Sequence, residues 1–222
     1  MPERRDPPAT WLCLRYSKLG PARFTSARDI ARLMERAIKR ANLPVAYSSG
    51  FSPHQRVSYA FPAPTGAASH AEYLMIGLTT LGDCAGFVQA LDAQLPSGIR
   101  AEAGELTGDR RRLAGLDASR WRFEWPVGTP PATLAEAAAV FMASPAVMIE
   151  RKAKSGVSRQ DVRVAVVSLV ADGTAIGGVI KQGEPLIRPV DVLAGLAVEP
   201  AGLPTREAQG RLGWDGGVTN LV

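Results

Sequence analysis

The sequence predicts an α+β fold built as two ferredoxin-like β-α-β-β-α-β sandwiches in tandem. Two observations carry this expectation. One order of strand and helix patterns occurs twice along the chain, and a Gly- and charge-rich stretch, "GELTGDRRRLAGLDAS" from Gly104 to Ser119, lies between the two passes. A length of 222 residues fits two small domains of roughly 100 residues each. The expected boundaries are a disordered tail over 1–10, a first domain over 11–104, a linker over 105–119, a second domain over 120–198, and an irregular tail over 199–222.

The first pass opens with "WLCLRYS", whose apolar alternation reads as a strand. "SARDIARLMERAIKRAN" follows with Ile30, Leu33, Met34, Ala37, Ile38 and Ala41 at the spacing of one helix face. Ser26 suits the N-cap, Asp29 suits the positive end of the helix dipole, and Asn42-Leu43-Pro44 ends the helix. Short strands are expected at about 45–48 and 56–61, then "AEYLMIGL" as a longer strand, "GDCAGFVQALDAQL" as a second helix and "GIRAEAGEL" as a closing strand. The second pass reads "WRFEWPV" as a strand, "PPATLAEAAAVFMA" as a helix, "AVMIERKA", "VRVAVVSLV" and "AIGGVIK" as strands, and "RPVDVLAGLA" as a helix. Helices on one side of each antiparallel sheet leave the other side free.

Composition narrows the function classes. With 46% hydrophobic and 21% charged residues the chain has the make-up of an ordinary globular protein. No apolar run approaches a bilayer span and "MPERRDPPAT" lacks a signal-peptide core, so no membrane association and a cytoplasmic location are expected. Cys13 and Cys84 stand alone, without the spacing of a zinc or iron–sulfur site, and read as two buried thiols. The phosphate-loop, zinc-protease and nucleophile-elbow signatures do not occur, and no cofactor is called for. A formal charge of +5, from 26 Lys and Arg against 21 Asp and Glu, makes an acidic partner such as RNA plausible.

The charges on the first helix are patterned. Arg28, Arg32 and Arg36 recur every fourth residue, Lys39 falls on the same side and Arg40 at its margin, opposite the apolar stripe. Such a ridge reads either as a solvated helix face or as a surface that meets phosphates. The clusters "RRR" at 110–112 and "RKAKSGVSR" at 151–159 offer possible extensions. Behind the helix, "SSGFSP" is adequately explained as a turn, whereas "HQRVSYAF" reads as a site, with Val57, Tyr59 and Phe61 on one face at strand period. In a third-strand position Tyr59 and Phe61 read either as ordinary core residues or as a stacking platform that faintly resembles the base-stacking motif of RNA-recognition domains, with Ser58 in place of a glycine and Pro62 interrupting the strand. His54 beside Arg56 suits a general acid or a phosphate donor, and His70 precedes a strand; no carboxylate or cysteine cluster makes either a metal ligand.

Residues 14–78, above all "RYSKLGPARFTS", "AYSSGFSPHQRVSYAFPAPTG" and "AEYL", resemble the bacterial radical-SAM-linked proteins, and the rest of the chain, with "RPVDVLAGL", follows that family more loosely. The resemblance implies a domain found alone or fused behind a radical-SAM enzyme, and an RNA-related role. At Ala27, where a histidine is expected, and at His70 and Met75, where the family tends to acidic residues, the chain departs, so chemistry resting on those side chains does not carry over. The three-cysteine cluster motif is lacking, so the resemblance implies a partner of a radical-SAM enzyme and not the enzyme itself. The expectation is a non-enzymatic RNA-binding or accessory module that uses Arg28, Arg32, Arg36, Lys39, Arg40, His54, Arg56, Tyr59 and Phe61. The alternatives are a metal-independent ribonuclease using His54 with Tyr47 or Tyr59, and a protein-binding adaptor that makes no RNA contact.

Overall fold

A computed structural model describes residues 7–153, 156–200 and 202–222. It is α+β: among the described residues four α-helices accompany a mainly antiparallel sheet. The chain divides into two units, one running to Gly115 and including Leu221–Val222, the other Leu116–Asn220.

In the first unit β1 (Thr10–Lys18) leads through a 3-10 turn at Gly20–Phe24 into α1 (Ala27–Arg40). β2 (Val57–Ala60), β3 (Ala68–Leu78), α2 (Cys84–Asp92) and β4 (Ile99–Thr107) follow, and the strands lie in the order β4-β1-β3-β2. Strand alternation turns Leu12, Leu14 and Tyr16 of β1 and Leu74, Ile76 and Leu78 of β3 to the same core as Ile30, Met34, Ala37 and Ile38 of α1. Burying each Leu, Ile or Met side chain among them contributes roughly 1.5–3 kcal/mol, which is why a helix with so strong an apolar stripe is fixed in this orientation.

The second unit runs β5 (Ala118–Glu124), α3 (Pro131–Ala143), a hairpin of β6 (Met148–Ala153) and β7 (Gly156–Asp161), β8 (Val166–Asp172), β9 (Ala175–Lys181), α4 (Pro189–Leu196), β10 (Leu203–Leu212) and β11 (Val218–Asn220). Its sheet has the order β10-β5-β9-β8, with β11 paired to β10. Without the hairpin, the order of elements and the order of strands repeat those of the first unit.

Three expectations change. Residues 199–222 are not an irregular tail: β10 pairs with β5 over Leu203–Gly210, and β11 pairs with β10. The inward positions of β10 are held by Pro204, Arg206 and Ala208, so the strand carries no aliphatic alternation to read. Trp214 stands fully exposed in the turn that follows it. "AVMIERKA" pairs with β7, a strand the sequence did not suggest, and the hairpin forms a two-stranded sheet of its own. The segment 105–119 is not connection throughout, since β4 continues to Thr107 and pairs Leu106 with Leu12. Of the tail expected over 1–10, residues 1–6 lie outside the described residues, and β1 begins at Thr10.

Candidate nucleic-acid interface

The basic face of α1 follows from its local chemistry. Ser26 Oγ accepts from the Asp29 backbone N–H at 3.2 Å and donates to Asp29 Oδ2 at 2.7 Å, which starts the helix where its apolar stripe begins. With Ile30, Met34, Ala37 and Ile38 buried, Arg28, Arg32, Arg36, Lys39 and Arg40 are all exposed. Arg40 Nη2 donates to the Gln94 carbonyl at 2.7 Å, and Arg32 stands 3.9 Å from Asp29 across two well-exposed side chains, a pair worth little in water. Among the described residues no ion pair engages Arg28, Arg36 or Lys39. Lys39 and Arg40 also complement the negative end of the helix dipole.

The segment from Ala46 to Gly66 separates into parts with different roles. Its first loop is tied at the neck: the Ser48 N–H donates to the His54 carbonyl at 2.8 Å, the His54 N–H to Ser48 Oγ at 3.0 Å, and Tyr47 bridges Gln55. Gly50, at φ 122°, allows the reversal between them. His54 is exposed, and Arg56 Nε is turned back to the Tyr47 carbonyl at 3.3 Å. Tyr59 is opposite Leu74 in the β2–β3 ladder and, with Val57, packs against the core that α1 covers. Of the two readings of Tyr59, core residue and stacking platform, the packing is that of a core residue on the side of the sheet that α1 covers. Phe61 follows the end of β2 with φ at 45°, so it does not continue the strand alternation on which its pairing with Tyr59 was based.

The two further basic clusters have structural partners. Arg112 donates to Glu105 Oε2 at 2.9 and 3.0 Å and to the Leu221 carbonyl at 3.1 Å, leaving Arg110 and Arg111 exposed. In the run 151–159, Arg151 binds Asp191 and Arg159 stands 3.5 Å from Glu150; Lys154 lies outside the described residues. His70 is exposed near the start of β3.

One feature was missed in the sequence. Lys18 and Glu72 are each only 2% exposed, and both line a recess of about 140 Å³ bounded by the ends of β1 and β2, the first turn of α1 and the start of β3. Lys18 Nζ donates to the carbonyls of Ala63 at 3.2 Å and Pro64 at 3.4 Å, while the Ala63 N–H donates to Glu72 Oε2 at 3.0 Å. The two charges thus clamp the turn after β2 from both sides. The register shift between Tyr16 and Lys18 is what lets the end of β1 reach it. Tyr59 also borders the recess, and its hydroxyl is buried with no hydrogen-bond partner. Burial, with the Glu35 carboxylate adding to it, pushes that hydroxyl well above the ordinary tyrosine range, so it stays protonated. A signal for the recess exists in the sequence, because period two places Lys18 in line with Leu12, Leu14 and Tyr16, and Glu72 in line with Leu74, Ile76 and Leu78. Among the described residues no cluster of His, Cys, Asp and Glu is arranged to hold a metal ion, and no helix is long and apolar enough to cross a membrane.

In the first unit a helix with a basic outer face lies over an antiparallel sheet, with the recess at one end of it. The chain belongs to the bacterial family described as "Uncharacterized protein conserved in bacteria (DUF2344)", whose model matches residues 12–189. The match takes in the whole of α1 and the recess and stops before β10 and β11. No curated protein matches the chain.

Proposed function

We propose that this protein is a non-enzymatic RNA-binding or accessory module of the cytoplasm, made of two ferredoxin-like units, in which the exposed face of α1 contacts phosphates. The single observation that supports the reading is the set of exposed cations on α1, three of which have no acidic partner among the described residues. Cations of this kind release counterions when they meet a polyanion, and they position it without reading its sequence. The ferredoxin-like assignment is supported by the two matching strand orders, β4-β1-β3-β2 and β10-β5-β9-β8, in which the hairpin β6–β7 is an insertion. The resemblance of residues 14–78 to radical-SAM-linked proteins adds a radical-SAM enzyme or the RNA-processing machinery as the setting in which the module acts.

The test is the salt dependence of RNA binding. Replacing Arg28, Arg32 and Arg36 together by Gln is expected to weaken binding of single-stranded RNA and to lower the slope of log K against log salt by about 2. An unchanged slope overturns the reading. A polypeptide that co-purifies in stoichiometric amount and survives nuclease treatment would put a protein adaptor in its place. RNA cleavage in the presence of a chelator, lost in His54→Ala, would put a metal-independent ribonuclease there; the buried, protonated Tyr59 is a poor base for that chemistry.

A further inference from the structure

We propose that the polyanion met by α1 is single-stranded RNA, whose bases stack on Phe24 and Phe51 at the two ends of the helix. The proposal rests on the reading of α1 as a phosphate-contacting surface, and it names the form of nucleic acid which that surface takes.

Charge placement comes first. Residues 7–71 hold nine Lys and Arg against two carboxylates, Asp29 and Glu35, a net of +7 where the whole chain carries +5. The rest of the chain is left with a net of −2. The positive charge is thus concentrated in β1, α1, β2 and their connections, and from Arg36 to Ala71 there is no acidic residue at all. Such asymmetry draws a polyanion to this stretch.

The exposed aromatics come second. Phe51 is 95% exposed and Phe24 68%, although Phe is a residue type usually found inside. Both rings stand on tied segments. Phe24 closes the 3-10 turn Gly20–Phe24, three residues before α1 begins, and the neighbouring Arg23 Nε donates to the Gly66 carbonyl at 2.7 Å. Phe51 tops the loop whose neck is closed by the Ser48 and His54 hydrogen bonds, and Gly50 turns the chain just before it. That loop leaves the sheet just after Val45 bridges Leu78, and Val45 comes four residues after Ala41, the C-cap of α1. One ring therefore stands beyond each end of the helix. They take the stacking role that Tyr59 cannot fill from the core.

Geometry then separates a single strand from a duplex. α1 has 14 residues, so it is about 21 Å long, and its arginines recur about every 6 Å along the axis. A strand stacked at about 3.4 Å per phosphate covers that length with roughly six nucleotides. Only an unpaired strand gives up bases to the two rings while its phosphates follow the cations between them; a duplex keeps its base faces inside its own stack. A phenylalanine ring has no hydrogen-bonding group, so it accepts any base and reads no sequence.

The experiment uses the full chain with three labelled probes: rU10, an abasic ribose-phosphate strand of equal length and a blunt RNA duplex of similar length. Fluorescence anisotropy is read at several salt concentrations. The expected result is that rU10 binds about a hundredfold more tightly than the abasic strand, about tenfold for each stacked base. Phe51→Ala and Phe24→Ala should each weaken rU10 about tenfold, and Phe51→Trp should hold or raise the affinity. None of these substitutions moves a charge, so the salt slope and the binding of the abasic strand should stay as in the parent chain. An rU10 affinity that Phe51→Ala leaves unchanged overturns the proposal, as does an equal loss on the abasic strand or a duplex bound as tightly as rU10. Failure of the α1 reading looks different: the variant with Arg28, Arg32 and Arg36 all replaced by Gln keeps the parent slope on the abasic strand, while Phe51→Ala still weakens rU10. That outcome supports stacking on Phe51 and overturns α1 as the phosphate contact beside it.

Discussion

Replacing Lys18 by Met tests whether the recess is held by charge. Met keeps the apolar stem of the side chain and removes the ammonium, so packing along β1 is largely retained. What is lost is the donor to the Ala63 carbonyl at 3.2 Å and the longer contact to Pro64 at 3.4 Å. Hydrogen bonds from charged donors contribute about 1.5–3 kcal/mol each, and the second, longer one lies at the bottom of that range. Glu72, 2% exposed, still accepts from the Ala63 N–H at 3.0 Å, so the turn is then held from one side. Losing both charged hydrogen bonds to the turn brings the expected cost to about 3–5 kcal/mol, a large share of the roughly 5–15 kcal/mol that stabilises a domain. Urea denaturation followed by circular dichroism measures the loss, and hydrogen exchange of the β3 amides assigns it to the first unit. The double variant Lys18→Met with Glu72→Gln should be less damaged than the sum of the two single variants by more than about 1 kcal/mol, because both side chains hold the same turn and it can be released only once. A Lys18→Met variant within about 1 kcal/mol of the parent chain, or strict additivity in the double variant, refutes the reasoning.

Further outcomes follow from other parts of the structure. Burial pushes the Cys13 thiol from 9.0 up to about 11, with Glu105 adding to the rise and Arg112 opposing it. The folded state thus holds the proton more tightly than the unfolded one, so the associated stability is intact below pH 9 and is lost between pH 9 and about 11, by about 3 kcal/mol in all. Urea midpoints at pH 8 and pH 10.5 should differ more in the parent chain than in Cys13→Ala; equal differences would show that the thiol does not ionise as described. Gly98→Ala should cost about 2 kcal/mol or more, since φ is +86° there and a Cβ would stand 2.8 Å from the Leu19 carbonyl oxygen, an atom fixed in the backbone. A thermal midpoint that rises in Gly98→Ala, the usual outcome where the glycine is unstrained, would contradict this geometry.

The legible parts of the fold are those where one apolar periodicity runs uninterrupted. α1 was readable because Ile30, Met34, Ala37 and Ile38 recur at helical spacing behind a Ser26 cap, and β3 because a long apolar run has no Pro or Gly at its start. β10 was not readable. Arg206, 3% exposed, packs its guanidinium 4.7 Å from the Trp121 ring and donates to Gln209 Oε1 at 2.8 Å, so polar residues occupy positions where a pattern reader looks for aliphatic ones. The hairpin β6–β7 was missed for a related reason, since β7 is almost wholly exposed and carries no alternation.

The candidate site divides along the same line. Exposure of Arg28, Arg32, Arg36 and Lys39 follows from the sequence alone, because a helix with one buried stripe must turn the opposite stripe outward. The side of the sheet that Tyr59 faces does not follow, because a two-fold alternation says which residues share a face and never which face is covered. The recess needed the tertiary structure most. Lys18 and Glu72 lie more than fifty residues apart in the chain, and only the antiparallel pairing of β1 with β3 brings the two in-facing charges to one end of the core. Sequence fixes local periodicity and charge placement because those depend on neighbours along the chain. Burying two opposite charges depends on strand register and on the turn they clamp, and it is decided only when the sheet is assembled.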